Sequence, residues 1–229
     1  MPTILAIDTS TTVCSIAILL DDKIVYECIL SQEKSHAENL TLLIQNACEV
    51  IDFQLSDLDA VAVCSGPGSY TGLRIGVATA KGLCMAIEKP LIAVNSLQAM
   101  ASTFYTTHPN LSDYLAISML DARRMEVFMA IYNQQLEEVE KIQAHIFTED
   151  SFKSIENQKL AFIGNANEKA EKVLNLQNAL FISSILPSAQ SVAKLALEKF
   201  NKNEFEDVAY FEPFYLKDFV STSKPVVSK

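Results

Sequence analysis

The chain has no stripe of basic residues. Lysine and arginine total 18 of its 229 residues against 28 aspartates and glutamates, a formal net charge of −10. Binding nucleic acid unaided needs clustered Lys and Arg to attract phosphate. That activity is therefore excluded, and any RNA this chain serves must be held mostly by a partner. Histidine is scarce. His36, His108 and His145 lie far apart, without metal-ligand spacing. No C-x-x-C pair occurs among Cys14, Cys28, Cys48, Cys64 and Cys84. The number is odd and each sits in an apolar run, as buried thiols in a reducing cytoplasm do. No Gly-Lys-Ser/Thr ends a Walker A loop, and neither G-x-G-x-x-G nor a G-x-S-x-G elbow is present. No apolar run is long enough to span a bilayer. Met1-Pro2-Thr3 leads straight into a strand pattern, so no signal peptide is expected.

What remains is an ordinary globular composition, 49% hydrophobic and 20% charged, with enough length for a proper core. Thr3 to Asp8, Val13 to Leu20 and Lys23 to Leu30 read as strands, the last two joined by a tight Asp21-Asp22 turn. Ser35 and Glu38 have the spacing of a capping box. A helix from His36 to Ile51 follows, with Leu43 widening its apolar stripe. Ala60 to Cys64 is a buried strand, Thr71 to Ile87 a helix, Leu91 to Val94 a strand and Ser96 to Thr106 a helix. The order β-β-β-α-β-α-β-α predicts a ribonuclease-H-like lobe. In the second half, strands are expected at Tyr114–Met119, Glu126–Tyr132, Leu136–Ile142 and Leu160–Gly164. Asp121-Ala122-Arg123-Arg124 forms a turn, and helices are expected at Asn167–Leu174 and Ala189–Phe200. This half reads as an abbreviated second lobe.

Glycine is also rare, and four of the six fall in Ser65-Gly-Pro-Gly-Ser-Tyr-Thr-Gly-Leu-Arg-Ile-Gly76. Gly72, Gly76 and Ala80 are four apart and share one helix face. An interior helical glycine costs about 1 kcal/mol against alanine, so close approach of another backbone is expected there. The same helix is apolar nearly all round, which predicts burial on more than one side. With the preceding helix it is expected to make an exposed apolar interface. Asp8-Thr9-Ser10-Thr11-Thr12 is a hydroxyl-rich loop between strands, either a weak phosphate loop or a polar turn.

These runs, with Ile4-Leu-Ala-Ile-Asp-Thr-Ser10, Ser35-His-Ala-Glu-Asn-Leu40, Asp121-Ala-Arg-Arg-Met-Glu-Val127 and Pro213-Phe-Tyr-Leu216, resemble the TsaB (YeaZ) family. The resemblance spans Ile4 to about Leu216. It implies an actin/Hsp70/sugar-kinase-like fold of two ribonuclease-H-like lobes, here residues 1–102 and 103–219, with a flexible tail at 220–229. It implies an accessory, non-catalytic cytoplasmic subunit working with TsaD and TsaE. Their product is N6-threonylcarbamoyladenosine at adenosine 37 of tRNAs reading codons that start with A. tRNA is then reached only through the complex, and no membrane is involved. ATP or ADP and a metal belong to the partner complex, with none bound by this chain alone. The resemblance puts the partner face on two helices, at His36, Leu40, Leu43, Ile44, Ala47, Thr71, Gly72, Ile75, Gly76, Thr79, Ala80 and Leu83. A homodimer can use the same face, and a bulky residue at Gly76 is expected to block docking and spare the fold. TsaD-like proteins carry V-N-H-x-x-x-H for the metal. Here Val94-Asn-Ser-Leu-Gln-Ala-Met100 puts Ser96 and Met100 at those positions, poor ligands for such metals. The alternatives are a small-molecule kinase or ATPase on the same fold, or a metallopeptidase-like protein.

Overall fold

The structure, a computed structural model, describes residues 2–31, 36–176 and 179–217. Ser35 of the expected capping box and the expected tail at 220–229 lie outside the described residues.

Strand β1 (Thr3–Asp8) is buried along its whole length, which explains its unbroken apolar run. β2 (Val13–Leu20) pairs with it antiparallel, and β3 (Lys23–Ser31) pairs with β2 through the Asp21-Asp22 turn. Both aspartates adopt positive φ, 50° and 74°, as tight hairpin turns require. β3 alternates exposed and half-buried residues, as an edge strand should. Helix α1 (His36–Val50) leads to β4 (Ala60–Gly66), which runs parallel to β1. Helix α2 (Tyr70–Ile87) begins on the Ser69 hydroxyl, which accepts the Gly72 N–H. It ends at Glu88, which is left-handed at φ 54°. β5 (Leu91–Asn95) completes a sheet of order β3-β2-β1-β4-β5. Helix α3 (Ser96–Thr107) starts where the Asn95 side-chain oxygen accepts the N–H groups of Leu97 and Gln98.

The second half repeats this plan. β6 (Leu115–Asp121), β7 (Glu126–Tyr132) and β8 (Glu138–Ile146) form an antiparallel meander. β9 (Leu160–Gly164) then runs parallel to β6, and β10 (Ala179–Ile182) parallel to β9. Read from its meander edge, the second sheet is β8-β7-β6-β9-β10, strand for strand the order of the first. The only two glycines with positive φ among the described residues, Gly66 (109°) and Gly164 (119°), close the equivalent strands β4 and β9. The helices between strands are abbreviated. Helix α4 (Asn167–Glu171) has five residues, shorter than the expected span to Leu174.

Two helices interlock the halves. α3 follows the first sheet but packs Leu97, Met100, Ala101 and Phe104 against β6, β7 and β9. Helix α5 (Ala189–Asn201) follows the second sheet but packs Ala189, Val192, Ala193 and Ala196 on the first. The expected division at residue 102 falls within α3, one of the two helices that interlock the halves. α1 and α2 lie side by side on the opposite face of the first sheet, burying Leu40, Ile44, Ala47, Val77, Ala80 and Cys84. After α5 the chain returns over the first lobe. The Glu206 N–H donates to Leu91 O, Lys81 Nζ donates to the carbonyls of Ala209 and Phe211, and the Phe214 N–H donates to Ser65 O.

Candidate docking face

Helix α2 has two faces with different work. The inner one carries Gly72, Leu73, Gly76, Val77, Ala80 and Cys84, all buried. The close approach expected at the glycines is present, but the neighbour is the chain's own loop. A Cβ at Gly68 would overlap the Ser10 carbonyl, one at Gly72 the Thr9 carbonyl oxygen, and one at Gly76 the Thr9 Oγ1. Thr9 Oγ1 donates to Gly72 O at 2.8 Å, and Ser69 N donates to Ser10 O at 2.7 Å. The expected partner face is corrected accordingly. His36, Leu40, Ile44, Ala47, Gly72, Gly76 and Ala80 face this chain's own core, because the first sheet and the Asp8–Thr12 loop need their side of the helices.

The outer face of α2 is open. Thr71, Arg74, Ala78, Gly82, Met85 and Ala86 are exposed, and Ile75, Thr79 and Leu83 are half-buried. Met85 is 71% exposed. Ala78, Gly82 and Ala86 are four apart on one face, and a Cβ on Gly82 would meet none of the described residues within 4 Å. Nothing among the described residues requires glycine there. On the neighbouring α1, Leu42 and Val50 are exposed as well, at 52% and 71%. Of the expected interface residues, Leu43, Thr71, Ile75, Thr79 and Leu83 reach this outer surface. Ala78, Gly82, Met85 and Ala86 share this surface but are not among the residues expected at the interface. A signal was available, because Gly82 lies six residues from Gly76, about 120° away around a helix.

The hydroxyl loop points inward. Asp8, Thr9 and Ser10 are buried, while Thr11 is half-buried and Thr12 exposed. Asp8 Oδ1 accepts the Ser10 N–H at 2.8 Å, and the His36 ring nitrogen Nε2 bonds Thr11 O at 3.0 Å. Burial pushes the Asp8 carboxyl above its usual range, against the opposing pull of the Ser10 N–H and the charge of His36. Folded Asp8 thus keeps its proton to higher pH than unfolded Asp8. The folded state gains from this group at low pH, and the gain is lost as pH rises past the unfolded value near 4. Asp8→Asn keeps an oxygen for the Ser10 N–H but has no proton to lose. Its stability advantage over the native chain is expected to be larger at pH 7 than at pH 4, measured by urea denaturation at both.

A cleft of about 440 Å³ opens between the lobes, lined by Asn95, Gln98, Ile142, Lys199, Glu206 and Phe214 among others. No residue of Asp8–Thr12 lines it. Ser96 and Met100 do not fit a metal. The Ser96 hydroxyl donates to Pro67 O at 2.5 Å, and Met100 is fully buried against the Gly164 backbone position. Among the described residues no three His, Cys, Asp or Glu side chains are grouped to hold a metal ion. Nor is any helix there long and apolar enough to cross a membrane.

Duplicated mixed sheets with interlocked helices make this a two-lobed α/β protein of the actin/Hsp70/sugar-kinase kind. The model of the family described as TsaD, tRNA N6-adenosine threonylcarbamoyltransferase, matches residues 23–223, and the chain belongs to that family. It is 27% identical to the tRNA threonylcarbamoyladenosine biosynthesis protein TsaB of Escherichia coli, over 96% of this chain and 97% of that one. The structure of YeaZ from Pseudomonas aeruginosa aligns with a TM-score of 0.82 at 27% identity, covering 94% of this chain and all of that one. A tRNA N6-adenosine threonylcarbamoyltransferase of Thermosipho melanesiensis is 29% identical, but over only 58% of this chain and 46% of its own length.

Proposed function

We propose that the chain is the accessory subunit of tRNA threonylcarbamoyladenosine biosynthesis. In this reading it docks on the TsaD paralogue through the outer faces of α1 and α2, with TsaE joining the assembly. It acts in the cytoplasm and meets tRNA within the complex. The transfer chemistry, ATP or ADP and the metal belong to the partners. The observation that carries this is the open strip Ala78-Gly82-Ala86 beside exposed Met85. Small residues let a second helix approach closely, and exposed apolar ground rewards its burial. End-to-end similarity to TsaB supports the same role. So do the buried Ser96 and Met100, at the two positions where the family resemblance implies metal-binding histidines in the transferase.

Reconstitution tests it. The chain alone is expected to transfer no threonylcarbamoyl group to tRNA, and the mixture with TsaD and TsaE is expected to do so. Steady transfer by the isolated chain would count against an accessory role, as would full activity of the partners without it.

A further inference from the structure

The duplication gives the Asp8–Thr12 loop a counterpart, the β6–β7 connection Asp121-Ala-Arg-Arg-Met125. Each opens on an aspartate at the end of the lobe's first strand. Each aspartate accepts the N–H two residues on, Ser10 in one at 2.8 Å and Arg123 in the other at 2.6 Å. Their surroundings differ. The eighteen-residue α2 covers the first loop, whereas α4 has five residues and leaves Arg123, Arg124 and Met125 exposed.

Three further observations concern that tip. The chain has only three arginines, and two of them are Arg123 and Arg124. Both take positive φ, 71° and 52°, a conformation that non-glycine residues adopt at a cost and that Asn-Gly would hold more easily. The nearby carboxylates are already matched. Asp121 Oδ2 pairs with Lys169 Nζ at 2.9 Å, and Glu126 pairs with Lys217. Neither guanidinium has an ion-pair or hydrogen-bond partner among the described residues. Among the described residues this pair of charges has no structural use, on a protein whose net charge of −10 otherwise repels phosphate.

We infer that the Arg123–Arg124 tip grips the phosphate backbone of the tRNA when the chain sits in its complex. Guanidinium is suited to the task because its planar donors match two phosphate oxygens at once. Two such contacts would anchor the RNA without giving the isolated chain an affinity of its own. This rests on the proposed role in tRNA modification.

The test is salt-dependent binding of unmodified tRNA to the complex with TsaD and TsaE, using the native chain and Arg123→Asn/Arg124→Gly. That double variant removes both charges and gives the turn an easier sequence, so it is expected to melt no lower than the native chain and to enter the complex normally. Its tRNA affinity is expected to fall about tenfold or more near 0.15 M salt. The slope of log affinity against log salt is expected to flatten by about two. Arg123→Lys/Arg124→Lys should recover part of both. Unchanged affinity and slope would overturn the inference. Loss of the variant from the complex would also overturn it, by showing that the arginines hold a protein instead. A native chain that never joins TsaD would sink the assembly itself, and this contact with it.

Discussion

Gly76→Leu is expected to lower the stability of the chain by about 3 kcal/mol or more, or to prevent folding. Even the first carbon of the new side chain would overlap Thr9 Oγ1, and the rest has no space between α2 and the first sheet. Overpacking alone costs about 1–3 kcal/mol. Here it also displaces Thr9, whose hydroxyl bonds Gly72 O and whose carbonyl lies against Gly72. Gly72 has the same neighbour and should respond alike. Chemical denaturation would read the effect as a lowered midpoint. A native-like midpoint for Gly76→Leu would mean that the loop is not held as described, and would restore Gly76 to the outer surface.

Gly82→Arg is expected to do the opposite. Its Cβ meets open space, and replacing an interior helical glycine favours the helix by up to about 1 kcal/mol. The isolated chain should be at least as stable as the native one. Docking is another matter, because a helix lying on the Ala78-Gly82-Ala86 strip would have to accommodate a bulky unpaired charge. Leaving such a charge buried costs about 3–5 kcal/mol, a hundredfold or more in affinity. Calorimetric titration into TsaD should therefore lose its signal. Binding of native strength would show that the partner sits elsewhere. Gly82→Ala, which adds one methyl group, separates bulk from charge and should weaken docking much less.

The two glycine substitutions show where sequence reading stops. Helical spacing puts Gly72, Gly76 and Ala80 on one face, and that face does meet a closely approaching backbone. Spacing cannot say whose backbone it is. The answer lies 63 residues earlier in the chain, in a loop brought there by the pairing of β1 with β4. The first lobe is otherwise readable almost to the residue, because its strands are apolar and α2 and α3 carry side-chain caps. The second lobe is harder. β10 has four half-buried residues with no alternation to mark it, and β8 begins two residues late because Leu136 closes a turn at φ 59°. Its repetition of the first sheet is written in strand order and in Gly66 and Gly164, not in sequence similarity.

Amide hydrogen exchange on the chain alone and mixed with TsaD tests the docking face most directly. Exchange is expected to slow in His36–Val50 and Tyr70–Ile87 on mixing, while the β7–β8 edge of the second sheet stays as it was. Slowing confined to the second sheet, with both helices unchanged, would contradict a partner resting on α1 and α2.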